Sequence, residues 1–398
     1  MNPVLAALRD LAKPTPAWFT LFAAVLLTTF GILAIDTVSP THADTQLKLW
    51  LPVAVFCMCC CIVPHHRLIG YVTLPLLILS VLALVYLLAP GAPFVRPING
   101  ARSWIILPVM RVQPAEFVKI LFVLALARYL RFRSSYRSLL GLLVPFMLMF
   151  IPVMLILKQP DLGTALLFAP ALFAVLVAAG AKLRHLFTLV GLAIAAVVVV
   201  LLVTLFAPPS FQILKPHQQQ RIVSMVSLAQ GEKRHEMDAG FQQSRAMRLI
   251  AAAGVSGYGK SESNYLITES GLPEAHNDMI FTVIVNRWGA TGGLAVIGLY
   301  FVFIVSTLLV SARTKDPFAR LACVGFAAMI FTQATINIGM HLGVLPITGI
   351  TLPFISYGGS SLLSLFIMTG LIVNFSARPA AMLARPSFEY DNPDAIFQ

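Results

Sequence analysis

The sequence predicts an all-α integral membrane protein with about ten transmembrane helices, a large extracytoplasmic loop, and a re-entrant loop before the last helix. Three observations predict it. Of 398 residues, 58% are hydrophobic and only 11% charged, whereas soluble domains carry roughly 25% charged residues. The apolar residues fall in blocks of about 17–25, the length at which a helix crosses a bilayer core. The polar residues gather in one long stretch, 208–278, and in short loops.

The blocks lie at about 17–35, 47–64, 68–90, 114–130, 137–157, 163–180, 184–207, 279–310, 319–341 and 359–376. Lipid cannot hydrogen-bond a backbone, so each is expected to be helical. The first is too long for a cleaved signal peptide, has no small-residue cleavage site at Ile35-Asp36-Thr37, and is followed by further spans. With the N-terminus inside, half of the 28 Lys and Arg residues fall in short inner loops and tails, among them Arg128, Arg131, Arg133 and Arg137. The positive-inside rule therefore places both termini in the cytoplasm and 208–278 outside. The chain is expected to be one polytopic domain, 1–398, with spans from about 17 to 376 and a cytoplasmic tail, 377–398. Its net charge of +12 follows from this topology and from anionic headgroups, and implies no nucleic acid. Cys57, Cys59, Cys60 and Cys61 sit in the second block and Cys323 in the ninth, where apolar packing is expected rather than a disulfide or metal site. No internal repeat stands out, which weighs against an inverted-repeat transporter.

Gly254-Val255-Ser256-Gly257-Tyr258-Gly259-Lys260-Ser261 has the spacing of a phosphate-binding P-loop. The context is wrong for one. The preceding 241–253 reads as helix rather than buried strand, and the topology puts the motif outside. A helix stopped by glycine and followed by a flexible turn is expected, with a loop shaped to a phosphate or sugar as a middle reading.

Four outward segments carry polar residues at membrane depth. The first runs from Asn99-Gly100-Ala101-Arg102 to Gln113-Pro114-Ala115-Glu116-Phe117-Val118-Lys119. Pro114 suits a first helical turn. Glu116 and Lys119, three apart, share a face and can pair, either to neutralise one another or to serve a site. In the second, Lys158-Gln159-Pro160-Asp161-Leu162-Gly163, Asp161 can be an N-cap or a cavity acid. The third, Gly271-Leu272-Pro273-Glu274-Ala275-His276-Asn277-Asp278, puts a carboxylate where a polar loop enters the membrane. That is a costly position, usually kept for a task. The fourth, 345–361, contains two prolines and three glycines that forbid a continuous helix. Non-helical backbone at membrane depth must be buried in protein or line a cavity, so a re-entrant loop is expected. Carboxylates beside Arg102, Arg111, Lys119 and Arg221 suit an anionic amphiphile such as a lipid phosphate.

These segments resemble the SEDS family (shape, elongation, division and sporulation) of bacterial cell-wall proteins. The matches are Asn99-Gly100-Ala101-Arg102 with Trp104, 113–119, Gln159-Pro160-Asp161-Leu162-Gly163, Gln220-Arg221-Ile222, 272–278 and Ile355-Ser356-Tyr357-Gly358-Gly359-Ser360-Ser361, in family order over about 15–376. Asn337-Ile338-Gly339-Met340 and 345–350 lean toward the RodA branch rather than FtsW, while Thr351-Leu352-Pro353 leans the other way.

The resemblance implies a peptidoglycan glycosyltransferase that joins lipid II into glycan strands beside a class B penicillin-binding protein. Asp278 takes the place of the family's catalytic acid and is implied as general base, with Asn277 where the family usually has Thr. Lys119 and Arg102 are the candidates to stabilise the leaving pyrophosphate, with Glu116 holding Lys119. Asp161, Arg221, Glu274, His276, Ser356, Tyr357 and Ser360 complete the implied substrate-binding set. No metal ligands are assigned, and the resemblance leaves a divalent cation, Mg or Mn, open as a cofactor. One departure stands out: Asn286-Arg287 replaces two acids of the family pattern. About nine residues of helix put Arg287 on the face opposite Asp278, so it is expected to find another partner or to snorkel. The alternatives are a lipid II flippase and an inactive scaffold for a partner synthase.

Overall fold

The computed structural model describes residues 15–97, 101–107, 111–133, 135–206 and 241–377. In chain order its helices are α1 Ala17–Val38, α2 Pro40–Ile62, α3 His66–Leu88, α4 Pro114–Arg131, α5 Leu143–Lys158, α6 Leu162–Ala178, α7 Leu183–Phe206, α8 Phe241–Ala252, α9 Gly259–Ser270, α10 Ile280–Arg313, α11 Pro317–His341 and α12 Gly359–Ala377. Among the described residues the one strand pair is β1 Ile105–Ile106 with β2 Arg111–Val112, antiparallel.

Each of the ten expected blocks lies on a helix. Among the described residues, seven helices are long and apolar enough to cross a membrane: α1, α2, α3, Leu140–Lys158, α10, α11 and α12. The expected span at 114–130 falls outside that set because Glu116, Lys119, Arg128 and Arg131 load α4 with charge; it is nevertheless buried along most of its length. The expected span at 163–180 is interrupted at Leu167, leaving short pieces Leu162–Leu166 and Phe168–Ala178. The protein is a multi-pass membrane protein. Phe19, Phe56, Tyr71, Phe187 and Phe301 are exposed on its outer faces, as lipid-facing side chains are in helices whose own backbones are satisfied.

α1 lies along α10, α12 packs on the second half of α2, and α11 packs against α4, α6 and α10. α4 and α11 run antiparallel. At one end Arg131 pairs with Asp316 at 3.1 Å, and at the other Lys119 meets Gln333. The Asp278 loop, the non-helical segment 342–358 and the first turns of α4, α6 and α12 therefore gather at one end of the bundle.

The first part of the hydrophilic stretch, 208–240, lies outside the described residues; its second half carries the helices α8 and α9. The P-loop-like glycines between them have a packing role. α10 breaks at Gly289, whose φ of 70° and ψ of −167° admit essentially only glycine. The turn after α8 docks on that break: Ala290 N donates to Gly254 O at 3.0 Å, and Tyr258 N to Asn286 O at 3.0 Å. A Cβ at Gly289 would stand 2.1 Å from Val255 O, and one at Gly257 2.4 Å from Gly289 N. The turn expected to be flexible is thus bonded to α10, and Gly257 with Gly289 allows two backbones to touch. Lys260, in the position of the P-loop lysine, pairs with Asp36 at 2.5 Å.

Candidate active site

Asp278 closes a turn in which Asn277 N donates to Glu274 O at 2.9 Å and Met279 N to the same oxygen at 3.3 Å. Glu274 takes a φ of 50° to allow it. The turn is held against the segment before α12: Ser356 Oγ donates to Asn277 O at 2.7 Å, and Tyr357 N donates to His276 O at 3.0 Å. That segment is in turn fixed by α2. Gln46, fully buried at the start of a π-helical stretch, donates to Ser356 O at 3.3 Å and accepts from Gly358 N at 3.2 Å. The ring of His42 stacks on His276 at 4.5 Å, with Tyr357 edge-on to His42 at 4.5 Å.

Main-chain bonds hold Asp278 itself. Asn337 Nδ2 donates to its carbonyl at 3.0 Å and His341 Nε2 at 2.9 Å. The side chain is half-buried, and among the described residues none donates to the enclosed Oδ1. Burial pushes this carboxyl up to about 6; the nearby backbone amides of Asp278 and Met279 offset part of the rise, and the Glu274 charge adds to it. Glu274 is exposed, its carboxylate accepting from Asn277 Nδ2 at 2.5 Å. His276 is held below the usual imidazole range by burial and by His42, with the Glu274 charge opposing.

A second group forms where α4, α6, α11 and α12 meet. Lys119 Nζ lies 2.9 Å from Glu116 Oε1, both nearly buried, and also donates to Gln333 Oε1 at 3.4 Å. Ser364 Oγ donates to Glu116 Oε2 at 2.7 Å. Asp161 caps α6 through Thr164 N at 3.0 Å and also accepts from Gln113 Nε2 at 3.1 Å. It is therefore the N-cap of α6 and also a tie to the residue that precedes α4. Burial raises its carboxyl, against the Thr164 bonds and the Lys119 charge that hold it down. Ser360 Oγ accepts from Gln113 N at 3.1 Å and donates to Arg111 O at 2.9 Å, tying α12 to β2.

α11 joins the two groups across the segment 348–352. Gln333 Nε2 donates to Thr351 O at 2.9 Å while its Oε1 takes Lys119. Asn337 Nδ2 donates to Ile350 O at 2.7 Å as well as to Asp278 O. Gln333, Asn337 and His341 recur every fourth residue, one face of a helix. Asn337 enters the sequence reading only as a branch marker, and Gln333 and His341 do not enter it. Their spacing within an apolar helix is the signal that could have found them.

The structure thus brings together Asp278, Glu274, His276, Ser356 and Tyr357 in one group, and Glu116, Lys119, Asp161 and Ser360 in the other. Arg102 is exposed in the segment leading to β1, beside buried Ser103. Arg221 lies outside the described residues. Arg287 turns from Asp278 as its helical phase predicts: its Nη1 donates to Leu33 O at 2.6 Å and Thr37 Oγ1 at 2.9 Å, and its guanidinium lies over Trp288. Asn286 Nδ2 donates to Leu249 O at 3.2 Å. Both replacements of the expected acids therefore serve packing between helices.

The geometry defines a helical membrane protein with a desolvated carboxylate at the mouth of the bundle and a buried cation nearby. The sequence profile of the cell cycle protein family FtsW/RodA/SpoVE matches residues 17–380, and the chain belongs to that family. It is 34% identical to the probable peptidoglycan glycosyltransferase FtsW of Thiomicrospira cyclica, over 72% of this chain and 71% of that one. It is 32% identical to the peptidoglycan glycosyltransferase MrdB of Escherichia coli, over 69% and 71%. A solved chain from a peptidoglycan synthase complex that coordinates polymerization and crosslinking superposes with a TM-score of 0.75 at 29% identity, covering 90% of this chain and 97% of that one.

Proposed function

We propose that this chain is a peptidoglycan glycosyltransferase that polymerises lipid II at the outer face of the bacterial cytoplasmic membrane, with both termini in the cytoplasm and Asp278 as general base. The observation that carries the reading is Asp278: a carboxylate kept half-buried, its Oδ1 without a donor among the described residues, and its acidity shifted up to about 6. A buried polar atom left unpaired is costly in a fold, and a base works best when its pKa lies near the working pH.

In the reaction the acceptor sugar's 4-hydroxyl oxygen bonds to the donor's anomeric carbon, and its proton passes to Asp278. The bond from that carbon to the pyrophosphate oxygen breaks, and the lipid pyrophosphate leaves with the electron pair. One in-line displacement inverts the anomeric centre through an oxocarbenium-like transition state. Lys119 and Arg102 supply positive charge for the leaving group, with Arg221 a further candidate. Glu116 holds Lys119. Asp161, Glu274, His276, Ser356, Tyr357 and Ser360 shape the substrate site. Among the described residues no group of three or more His, Cys, Asp or Glu could hold a metal ion. A divalent cation, Mg or Mn, would supply further positive charge for the leaving pyrophosphate.

A class B penicillin-binding protein is the proposed partner, and elongation the proposed role. The whole chain acts as one polytopic domain, with 208–278 as its outer loop and 377–398 as its inner tail.

The test is polymer formation from purified lipid II by the full chain in detergent, with and without a co-expressed class B penicillin-binding protein. Asp278→Ala should lower the rate by about 10²–10⁴-fold while the protein stays folded. Equal rates from the two proteins would remove Asp278 from the chemistry. No polymer from either, even with the partner, would favour a scaffold or a flippase.

A further inference from the structure

We infer that His341 is a positioning residue for Asp278, acting through the main chain of residue 278 and not through its carboxylate. The inference rests on the glycosyltransferase reading. A carbonyl oxygen can only accept, so the His341 nitrogen 2.9 Å from Asp278 O, Nε2, must carry the ring proton. In the neutral ring Nδ1 is then the bare nitrogen, and Thr282 Oγ1, 2.9 Å away, donates to it. The tautomer follows from both partners together. His341 is fully buried, as is Thr282, and the Phe281 ring packs against the imidazole at 5.7 Å.

The consequence falls on Asp278. Its carbonyl receives two donors, His341 Nε2 and Asn337 Nδ2, which engage both lone pairs. Both come from α11, and Asn337 also holds Ile350 O at 2.7 Å. At the carboxyl end none of the described residues donates to Oδ1, and the group is otherwise met only by the local main-chain amides of Asp278 and Met279. The aim of the carboxylate is therefore set from the backbone behind it. Thr282 lies one turn beyond Asp278, so the chain from Thr282 through His341 to Asp278 O ties the first turn of α10 back to the loop that precedes it.

The test compares full-length His341→Leu, His341→Gln and Thr282→Val in polymerisation from purified lipid II, each checked by thermal unfolding in detergent. His341→Leu is expected to lower kcat about tenfold or more, leave KM for lipid II within about twofold, and move the acid limb of the pH profile below its wild-type position. A carboxyl released from its desolvated position meets water, and its acidity returns toward the ordinary range. His341→Gln keeps an N–H donor and should recover most of kcat and the pH position. Thr282→Val, which removes only the donor to Nδ1, should give a smaller loss in the same direction. Wild-type kcat and pH profile in His341→Leu would overturn the inference, as would a glutamine variant no better than leucine. If His341→Leu does not fold, an unchanged Thr282→Val overturns it. An inactive wild type would instead remove the glycosyltransferase reading.

Discussion

Neutralising Lys119 tests how the site is held together. Lys119 Nζ lies 2.9 Å from Glu116 Oε1, with the side chains only 5% and 6% exposed. At that distance and an effective dielectric near 20, the attraction is about 6 kcal/mol. Desolvating both ions takes back most of it, so the intact pair contributes little net stability. The asymmetry lies in breaking it. Lys119→Met leaves Glu116 with only the Ser364 hydroxyl at 2.7 Å, and a buried charge that loses its partner costs about 3–5 kcal/mol. Glu116→Gln leaves Lys119 with Gln333 Oε1 at 3.4 Å and should cost a similar amount. The double variant removes both charges of the pair and leaves Asp161 as the buried carboxyl of the group. Equilibrium unfolding in mixed micelles should show it losing less than the sum of the single variants, with a coupling of about 2–3 kcal/mol. Losses that add to within about 0.5 kcal/mol would refute the argument and leave two independent side chains. Polymerisation by the same proteins separates structure from chemistry. If Lys119 also stabilises the departing pyrophosphate, the double variant regains stability but not rate.

As the proposed general base Asp278 must be ionised to accept a proton, and burial pushes its carboxyl up to about 6. The rate should therefore rise with pH along an acid limb centred near 6 and level off above it. Glu274→Gln removes a negative charge that contributes to the rise, so the limb should move to lower pH; an unmoved limb would assign the titration to another group. Gly289→Ala forces a Cβ to within 2.1 Å of Val255 O at a φ that disfavours it. It should cost about 1–3 kcal/mol from the backbone alone, with more from the clash, read as a fall in thermal unfolding temperature. Lys260→Ala should leave polymerisation within about twofold of wild type, because it removes only a half-exposed ion pair worth at most about 1 kcal/mol. A rate collapse there would reopen the phosphate-loop reading. In a cysteine-free background, Tyr265→Cys should react with an impermeant maleimide from outside intact cells, and Leu140→Cys, also exposed, should not. The reverse pattern would invert the topology.

The parts of this protein that could be read from sequence are those in which one local stretch carries its own physical signal. Apolar block length located the helices, Pro114 marked the start of α4, and the spacing of Glu116 and Lys119 put them on one face. Helical phase turned Arg287 away from Asp278. What could not be read depends on residues far apart in the chain. Arg287 is satisfied by Leu33 O and Thr37 on α1, some 250 positions earlier. Gly254 and Gly259 have the spacing of a phosphate loop, and only the break at Gly289 reveals that the turn between them serves packing, through Gly257. The stripe Gln333, Asn337, His341 is a middle case: its period is visible, but its partners are not. Those partners matter most, because they show that the two halves of the site share one support. Gln333 binds Lys119 on one side of the segment 348–352, and Asn337 binds Asp278 O on the other, while both grip that segment's backbone. The cation and the carboxylate are thus registered against the same two turns of α11. A shift of that helix end displaces both together, so on the proposed mechanism a substitution there should alter base and leaving-group stabilisation in concert, which separate loops would not do.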